Sequence, residues 1–443
     1  MRKEIMKKQF WKYVLPSMFA MLLSGFYSII DGLFVGNAVG NTALAAINIA
    51  YPIQVVLNAT AIGIGIGGAV TMSWFRGKNQ EKYCDQTIGT SFSLLVSAGI
   101  LLPLVFYMIT PQLLHLLGAS GEVYIGAYEY IAVILIGGLL PVLGNGLNPI
   151  VRNQGKPIIA TQNMVAGLVT NIVLDYVFIY KMNLGMFGAA LATITAQGVV
   201  ATMNVIYVVK LNHKNFKLDY ILPNIEKIKR IMKIAISPFG QTIVPSIIII
   251  LTNWKCIEYG GDGAVAIYSV ISYVLACAQL LIQGIGDGVQ PLFSYYFGAN
   301  KERELHYVYN KAFFLCSIFS VFLMVMTMVF SVQLAKYFNI SPELMNETAL
   351  ALKTTAFAYA FFGVTRVTSA YFYATNHTKF SNLLIYIEPI VIAPTMLWIF
   401  TELFGLSGVW MAYPAIQVIL SSISLVLKSP NMEHKKEFKV ATV

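Results

Sequence analysis

The chain reads as an all-α integral membrane protein with twelve transmembrane helices arranged as two six-helix halves. Three observations carry that reading. Apolar residues make up 57% of the 443 positions and charged residues 11%, with a mean hydropathy of +0.69, far beyond soluble domains. The apolar residues fall into about a dozen runs, each long enough to cross a hydrocarbon core of roughly 30 Å. Basic residues gather in every second connection, which fixes an even number of crossings.

Taken in order, the spans fall near 13–36, 48–73, 87–110, 122–149, 158–180, 185–209, 232–257, 264–295, 308–334, 345–373, 380–401 and 406–427. The basic start Arg2, Lys3, Lys7, Lys8, Lys12 leads into a full-length span with no small-residue cleavage site, so no cleavable signal is expected. Alternate connections hold 25 of the 30 basic residues, including Arg76, Lys78 and Lys82, Arg152 and Lys156, and Lys301, Arg303 and Lys311. Both termini are therefore expected on the cytoplasmic side. The net charge of +10 is spread between apolar runs, which argues against nucleic acid as a partner. Cys84, Cys256, Cys277 and Cys316 show no metal-binding spacing and read as apolar fillers or surface thiols. The five histidines lie near span ends or in loops, so no metal cluster is expected.

The polar, basic connection from Lys210 to Lys233 falls near the middle of the chain. Around it the sequence repeats. FRGKNQEK (75–82) matches FGANKERE (297–304), Ala43-Leu44-Ala45 matches Ala264-Val265-Ala266, and GMFGAALA (185–192) matches GLSGVWMA (405–412), at offsets of 220–222. The expected organisation is an N-lobe at 1–211, a linker at 212–231, a C-lobe at 232–428 and a tail at 429–443. Six spans per half keep both halves in one orientation. Parallel repeats of this kind are a transporter architecture.

A carboxylate inside a span is costly and marks a candidate site. Asp31 in the first span and Asp175 in the fifth each lie about six residues from the outer end, roughly 9 Å deep. Asn171 shares a helix face with Asp175. Two acids and an amide at one depth suit a proton or sodium site, the bland alternative being buried polar groups bonded for packing. The repeat places Thr252 and Thr395 where the first half has Asp31 and Asp175, so a shared structural role does not explain the pair. In span 8, Gln279, Gln283, Asp287 and Gln290 form one polar stripe, which either lines a path for a cationic substrate or bonds helices together. Arg366 and Glu388 sit at similar depth in spans 10 and 11 and read as a buried ion pair. Pro16 removes a backbone hydrogen bond from the first span and permits a bend, static or mobile. No nucleophile or metal constellation supports an enzyme, and no cofactor is expected beyond the coupling ion.

The runs YSIIDGLFVGNAVGNTALAAINIAYPI (27–53), GNGLNPIVRNQGKP (144–157), TNIVLDYVFIY (170–180), GMFGAALATITAQ (185–197) and GDGVQPLFSYYFGANKERE (286–304) resemble the multidrug and toxic compound extrusion (MATE) family, in its prokaryotic MepA-like branch. The resemblance implies two six-helix lobes around a cavity and antiport of small cationic or amphipathic drugs against H⁺ or Na⁺. It implies a monomer in the lipid of a bacterial or archaeal cell (inner) membrane. Matched position by position, Asp31, Asn171 and Asp175 fall on the family's N-lobe cation or proton site, with Asn148 and Thr193 as polar neighbours. If sodium is the ion, the first three would be its ligands. Tyr27 joins the candidate substrate path with the span 8 stripe, and Pro16 falls on a first-helix proline associated with bending. C-lobe sodium-binding acids have no clear counterpart. A lipid-linked precursor flippase of the same superfamily is the alternative, although a cavity for pyrophosphate should be cationic.

Overall fold

The structure, a computed structural model, describes residues 2–211, 220, 224–338 and 340–429. Most of the expected linker, 212–219 and 221–223, and the tail from 430 onward lie outside the described residues. Nearly every described residue is helical, because backbone polar groups in lipid must be satisfied within their own segment.

The first half contains α1 (Arg2–Ala38), α2 (Asn41–Gly77), α3 (Glu81–Leu116), α4 (Gly121–Ile136), α5 (Leu139–Asn153), α6 (Pro157–Asp175) and α7 (Gly185–Ile206). Two stretches of π-helix extend it, π1 (Tyr176–Lys181) after α6 and π2 (Tyr207–Leu211) after α7. The second half contains α8 (Ile225–Gly298), α9 (Glu302–Val329), α10 (Ser331–Tyr337), α11 (Met345–Ala356), α12 (Tyr359–Ala374), α13 (Thr378–Ile387), π3 (Glu388–Ile392), α14 (Ala393–Phe404) and α15 (Leu406–Lys428).

Twelve crossings follow from these elements. Helix α8 has 74 residues, about 110 Å if straight and far longer than a bilayer is thick. It breaks at Gly261, whose φ of 58° and ψ of −150° suit glycine alone, and so supplies the seventh and eighth spans. Helices α4 and α5 meet at 60° and together make the fourth. α11 with α12, and α13 with π3 and α14, make the tenth and eleventh.

The internal repeat survives into backbone geometry. Left-handed residues occur in pairs at the offset read from sequence: Gly40 with Gly261, Asn79 with Asn300, Gly155 with Asn376, and Gly185 with Gly405. The break between α4 and α5 recurs at the same offset between α11 and α12. Turn geometry and helix breaks are thus shared by the two halves, whereas the buried acids are not.

By internal contacts the chain forms two compact units, Met1–Ile243 with Pro291–Leu305, and Val244–Gln290 with His306–Val443. The beginning of α8 therefore packs with the first unit. A Cβ on Gly63 or Gly67 of α2 would meet the backbone of Ala235 or Ile231, so these glycines allow direct helix contact. Within the first unit one apolar cluster joins α1, α2, α4, π1 and α7 around Val35, Ala46, Leu57, Ile131 and Ala190. Another joins α2, α3, α5 and α7 around Ile64, Leu95, Leu147 and Ala201. In the second unit Ile267, Tyr268, Leu352, Leu397 and Trp410 form the corresponding core.

Candidate coupling and substrate sites

Helix α6 carries the acid, and its buried face explains how. Pro157, Ala160, Asn163, Gly167, Asn171 and Asp175 recur at three- and four-residue steps and are all buried. Asp175 is 0% exposed and Asn171 1%. Both the oxygen and the nitrogen of the Asn171 carboxamide are buried without a hydrogen-bond partner among the described residues. An amide left so is destabilising by about 1–3 kcal/mol unless water or a ligand completes it. Asp175 is also the last α-helical residue before π1. The wider π turn displaces the side chains that follow, and such bulges cluster at working sites.

Tyr27 and Asp31 lie on α1, but their side chains are outside the described residues. The helix itself is placed by contacts on either side of them. The Thr161 hydroxyl donates to the Pro16 carbonyl oxygen at 3.0 Å, and the Phe34 and Tyr180 rings meet edge to face at 5.7 Å. Those contacts pair residues 145 apart in one case and Phe34 with Tyr180 in the other, so α1 and α6–π1 run parallel in nearly constant register. Asp31 is thereby level with residues 176–177, about 3 Å or less along the axis from Asp175. Pro16 is half-buried in the continuous helix α1, with its carbonyl held by Thr161.

Helix α7 runs antiparallel to α6, with Asn163 Nδ2 donating to Asn204 Oδ1 at 2.7 Å and the space at Gly167 filled by Val200. That register sets Thr193 between the levels of Asn171 and Asp175. Thr193 is 6% exposed and its hydroxyl donates to the Ala189 carbonyl. Asn148 differs from expectation. Its amide donates to the Ala160 carbonyl at 2.8 Å, fifteen residues before Asp175 on α6, about 22 Å along the axis. Asn148 ties α5 to the first turns of α6 and is no neighbour of the acid. Gln197 does approach that level, with a buried side-chain oxygen that lacks a partner among the described residues. Sequence reading passed over it, although it pairs with Gln417 at the repeat offset.

In the second unit the stripe on α8 faces protein. Gln283 Nε2 donates to Asp287 Oδ1 at 2.7 Å, Gln279 Nε2 donates to the Tyr413 hydroxyl at 3.1 Å, and Gln290 is 1% exposed. Arg366 of α12 lies near both Asp287 and Glu388. Glu388 Oε1 accepts from Gln417 Nε2 at 2.8 Å. The expected Arg366–Glu388 pair is thus part of a larger group with Asp287 and Gln417. Among the described residues no three metal-ligating side chains converge.

Comparison with known proteins bears on the family and the fold. The MatE family profile matches residues 16–177 and 239–395. The chain is 27% identical over 402 residues to the multidrug export protein MepA of Staphylococcus saprophyticus, covering 90% of this chain and 88% of the relative. Against MepA of Staphylococcus aureus the identity is 27% over 407 residues, with 91% and 89% covered. Among solved structures, an outward-facing multidrug resistance MATE transporter of the MOP superfamily superposes with a TM-score of 0.92 at 24% identity, covering 97% of each chain. A MOP superfamily transporter from Pyrococcus furiosus, described as having a binding pocket of reversed polarity that suggests a different function, gives 0.91 at 23% identity over 97% and 96%. These structures share the fold.

Proposed function

The chain belongs to the MatE family, and from that premise we propose that it is a multi-pass cell-membrane exporter of cationic amphipathic compounds, driven by inward exchange of H⁺ or Na⁺. The observation that carries the coupling step is the fully buried Asp175 beside the unsatisfied Asn171 carboxamide, at the joint between α6 and π1. The export proteins named MepA that align along nine-tenths of the chain support the substrate class.

In this reading Asp31 and Asp175, level on adjacent helices, take up the ion from outside. Ion binding neutralises charge that is expensive inside a span and completes the Asn171 amide. Thr193, at the same level on α7, is a further oxygen donor. Because α1 and α6 are tied through Thr161 and Pro16 and through Phe34 and Tyr180, a change of charge between the acids acts on the seating of α1. A substrate cation and the ion then compete for the same negative charge. The Gln279–Gln290 stripe and Tyr27 line the substrate path, and both termini face the cytoplasm, where the basic connections lie.

The test is ethidium efflux from proteoliposomes with a pH gradient and a sodium gradient imposed separately. Wild-type efflux should follow one gradient and be lost in Asp31→Asn. Wild-type rates from folded Asp31→Asn protein would overturn the coupling assignment.

A further inference from the structure

Between α1 and α6 the first unit holds an open, almost wholly apolar groove of about 800 Å³. Leu15, Pro16 and Phe19 bound it on one side, and α6 from Ile158 to Val169 bounds it on the other. Half-buried Pro16, Thr161 and Ala166 lie deepest, while Leu15, Phe19 and Val169 are each more than half exposed. The Thr161 hydroxyl holds the two helices together at the Pro16 carbonyl, 3.0 Å away, and the short side chains around that bond leave the furrow open. Along α6 the groove runs for eleven residue steps, about 16 Å. One leaflet of a hydrocarbon core roughly 30 Å thick is about 15 Å deep, so the groove has the length of a single leaflet.

Charge is confined to one end of it. Lys12, Leu15, Pro16 and Phe19 follow one another at i, i+3, i+4 and i+7, so they share a face of α1, and Lys8 continues that face one turn further out. The contact of Thr161 with Pro16 sets Lys12 level with residue 157, and Lys156 is the N-cap of α6. Lys8, Lys12 and Lys156 are all exposed. Ammonium groups from both helices therefore flank the mouth, with Glu4 the nearest acid on α1, one turn beyond Lys8. The residues that line the groove itself carry no charge. Its one exposed amide is Gln162, about 9 Å along α6 from Lys156.

We propose that this groove is a binding site for one anionic phospholipid. Its phosphate sits between Lys12 and Lys156, one acyl chain lies along α6 toward Val169, and an ester carbonyl accepts from the Gln162 amide. Charge complementarity selects the occupant. A mouth flanked by lysines repels cationic compounds, which separates the groove from the substrate path, and a zwitterionic lipid offers no net charge for the lysines to meet. On the orientation that the basic connections imply, the mouth opens in the cytoplasmic leaflet, where basic pockets between helices take anionic head groups. The chain packs over Pro16 and Thr161, the tie that seats α1 against α6. Bound lipid therefore stabilises the folded protein.

Delipidated full-length protein in detergent is titrated with phosphatidylglycerol, with phosphatidylcholine and with inorganic phosphate, and bound lipid is counted by native mass spectrometry. Wild type should bind one phosphatidylglycerol in preference to phosphatidylcholine, and that lipid should raise its unfolding temperature. The double variant Lys12→Gln/Lys156→Gln, altered only at exposed positions, should lose phosphatidylglycerol affinity by about tenfold and lose the rise in unfolding temperature. Lys82→Gln/Arg303→Gln removes the same charge from other exposed positions and should keep both. Ala166→Leu fills the deepest part of the groove and should weaken binding with every lysine in place. Equal binding of the two lipids by wild type would overturn the proposal, as would wild-type affinity in Lys12→Gln/Lys156→Gln. An equal loss in Lys82→Gln/Arg303→Gln would reduce the effect to bulk charge and overturn the site. Displacement of the lipid by millimolar inorganic phosphate would show a head-group contact with no chain in the groove, and would overturn it too.

Discussion

Replacing Asn171 by leucine tests the coupling site in a direction that a purely structural role cannot reproduce. Leucine has nearly the same shape as asparagine, and position 171 is 1% exposed. The carboxamide it replaces has neither atom satisfied among the described residues. If a coupling ion or its water completes that amide only in the loaded state, the unloaded protein carries the desolvation penalty, and Asn171→Leu should relieve it by about 1–3 kcal/mol. The loaded wild type should recover the difference, because an ion present at a hundred times its dissociation constant stabilises by about 2.7 kcal/mol. The assay is thermal unfolding in nanodiscs, at low and high concentration of the ion that drives efflux. Asn171→Leu should be more stable than wild type without the ion and indifferent to adding it. A variant that is less stable in both conditions and still responds to the ion would refute the reasoning, since the amide would then be serving the fold.

Two further substitutions probe the frame that holds the site. Asn204→Leu removes the acceptor of Asn163 and the donor to the Gly144 carbonyl, leaving buried groups on α6 and α5 unpaired. It should lower stability by about 2–5 kcal/mol, measured by denaturation of the reconstituted protein. Gly65→Ala drives a Cβ into the Gly146 carbonyl, which is backbone and cannot swing away, while Gly286→Ala meets Arg366 Cγ at an ordinary 3.6 Å. The first should cost about 1–3 kcal/mol and the second well under 1, compared as shifts in unfolding temperature.

How much of this was legible beforehand depends on the kind of signal. Asp175 and Asn171 were readable because a carboxylate in an apolar run stands out, and a four-residue spacing places an amide on its face. Asn148 misled because a motif match says nothing about depth. Its position near the end of α5 brings it to Ala160 and away from the acid. Glu388 and Arg366 were found as charges, but their grouping with Asp287 and Gln417 depends on four helices that are distant in sequence. The π segments had no sequence signal of their own, since one extra residue in a turn leaves composition and hydropathy unchanged.

The sequence alone determined the class, the twelve crossings, the internal repeat and the helices that carry acid. Those follow from local physics: hydrocarbon thickness, the expense of buried charge, and the turn residues that recur at one offset. Tertiary structure alone decided which polar groups share a level and which are left unsatisfied. Those quantities depend on helix register and on neighbours across the bundle. A 1.5 Å rise per residue turns one step of register into a different set of partners.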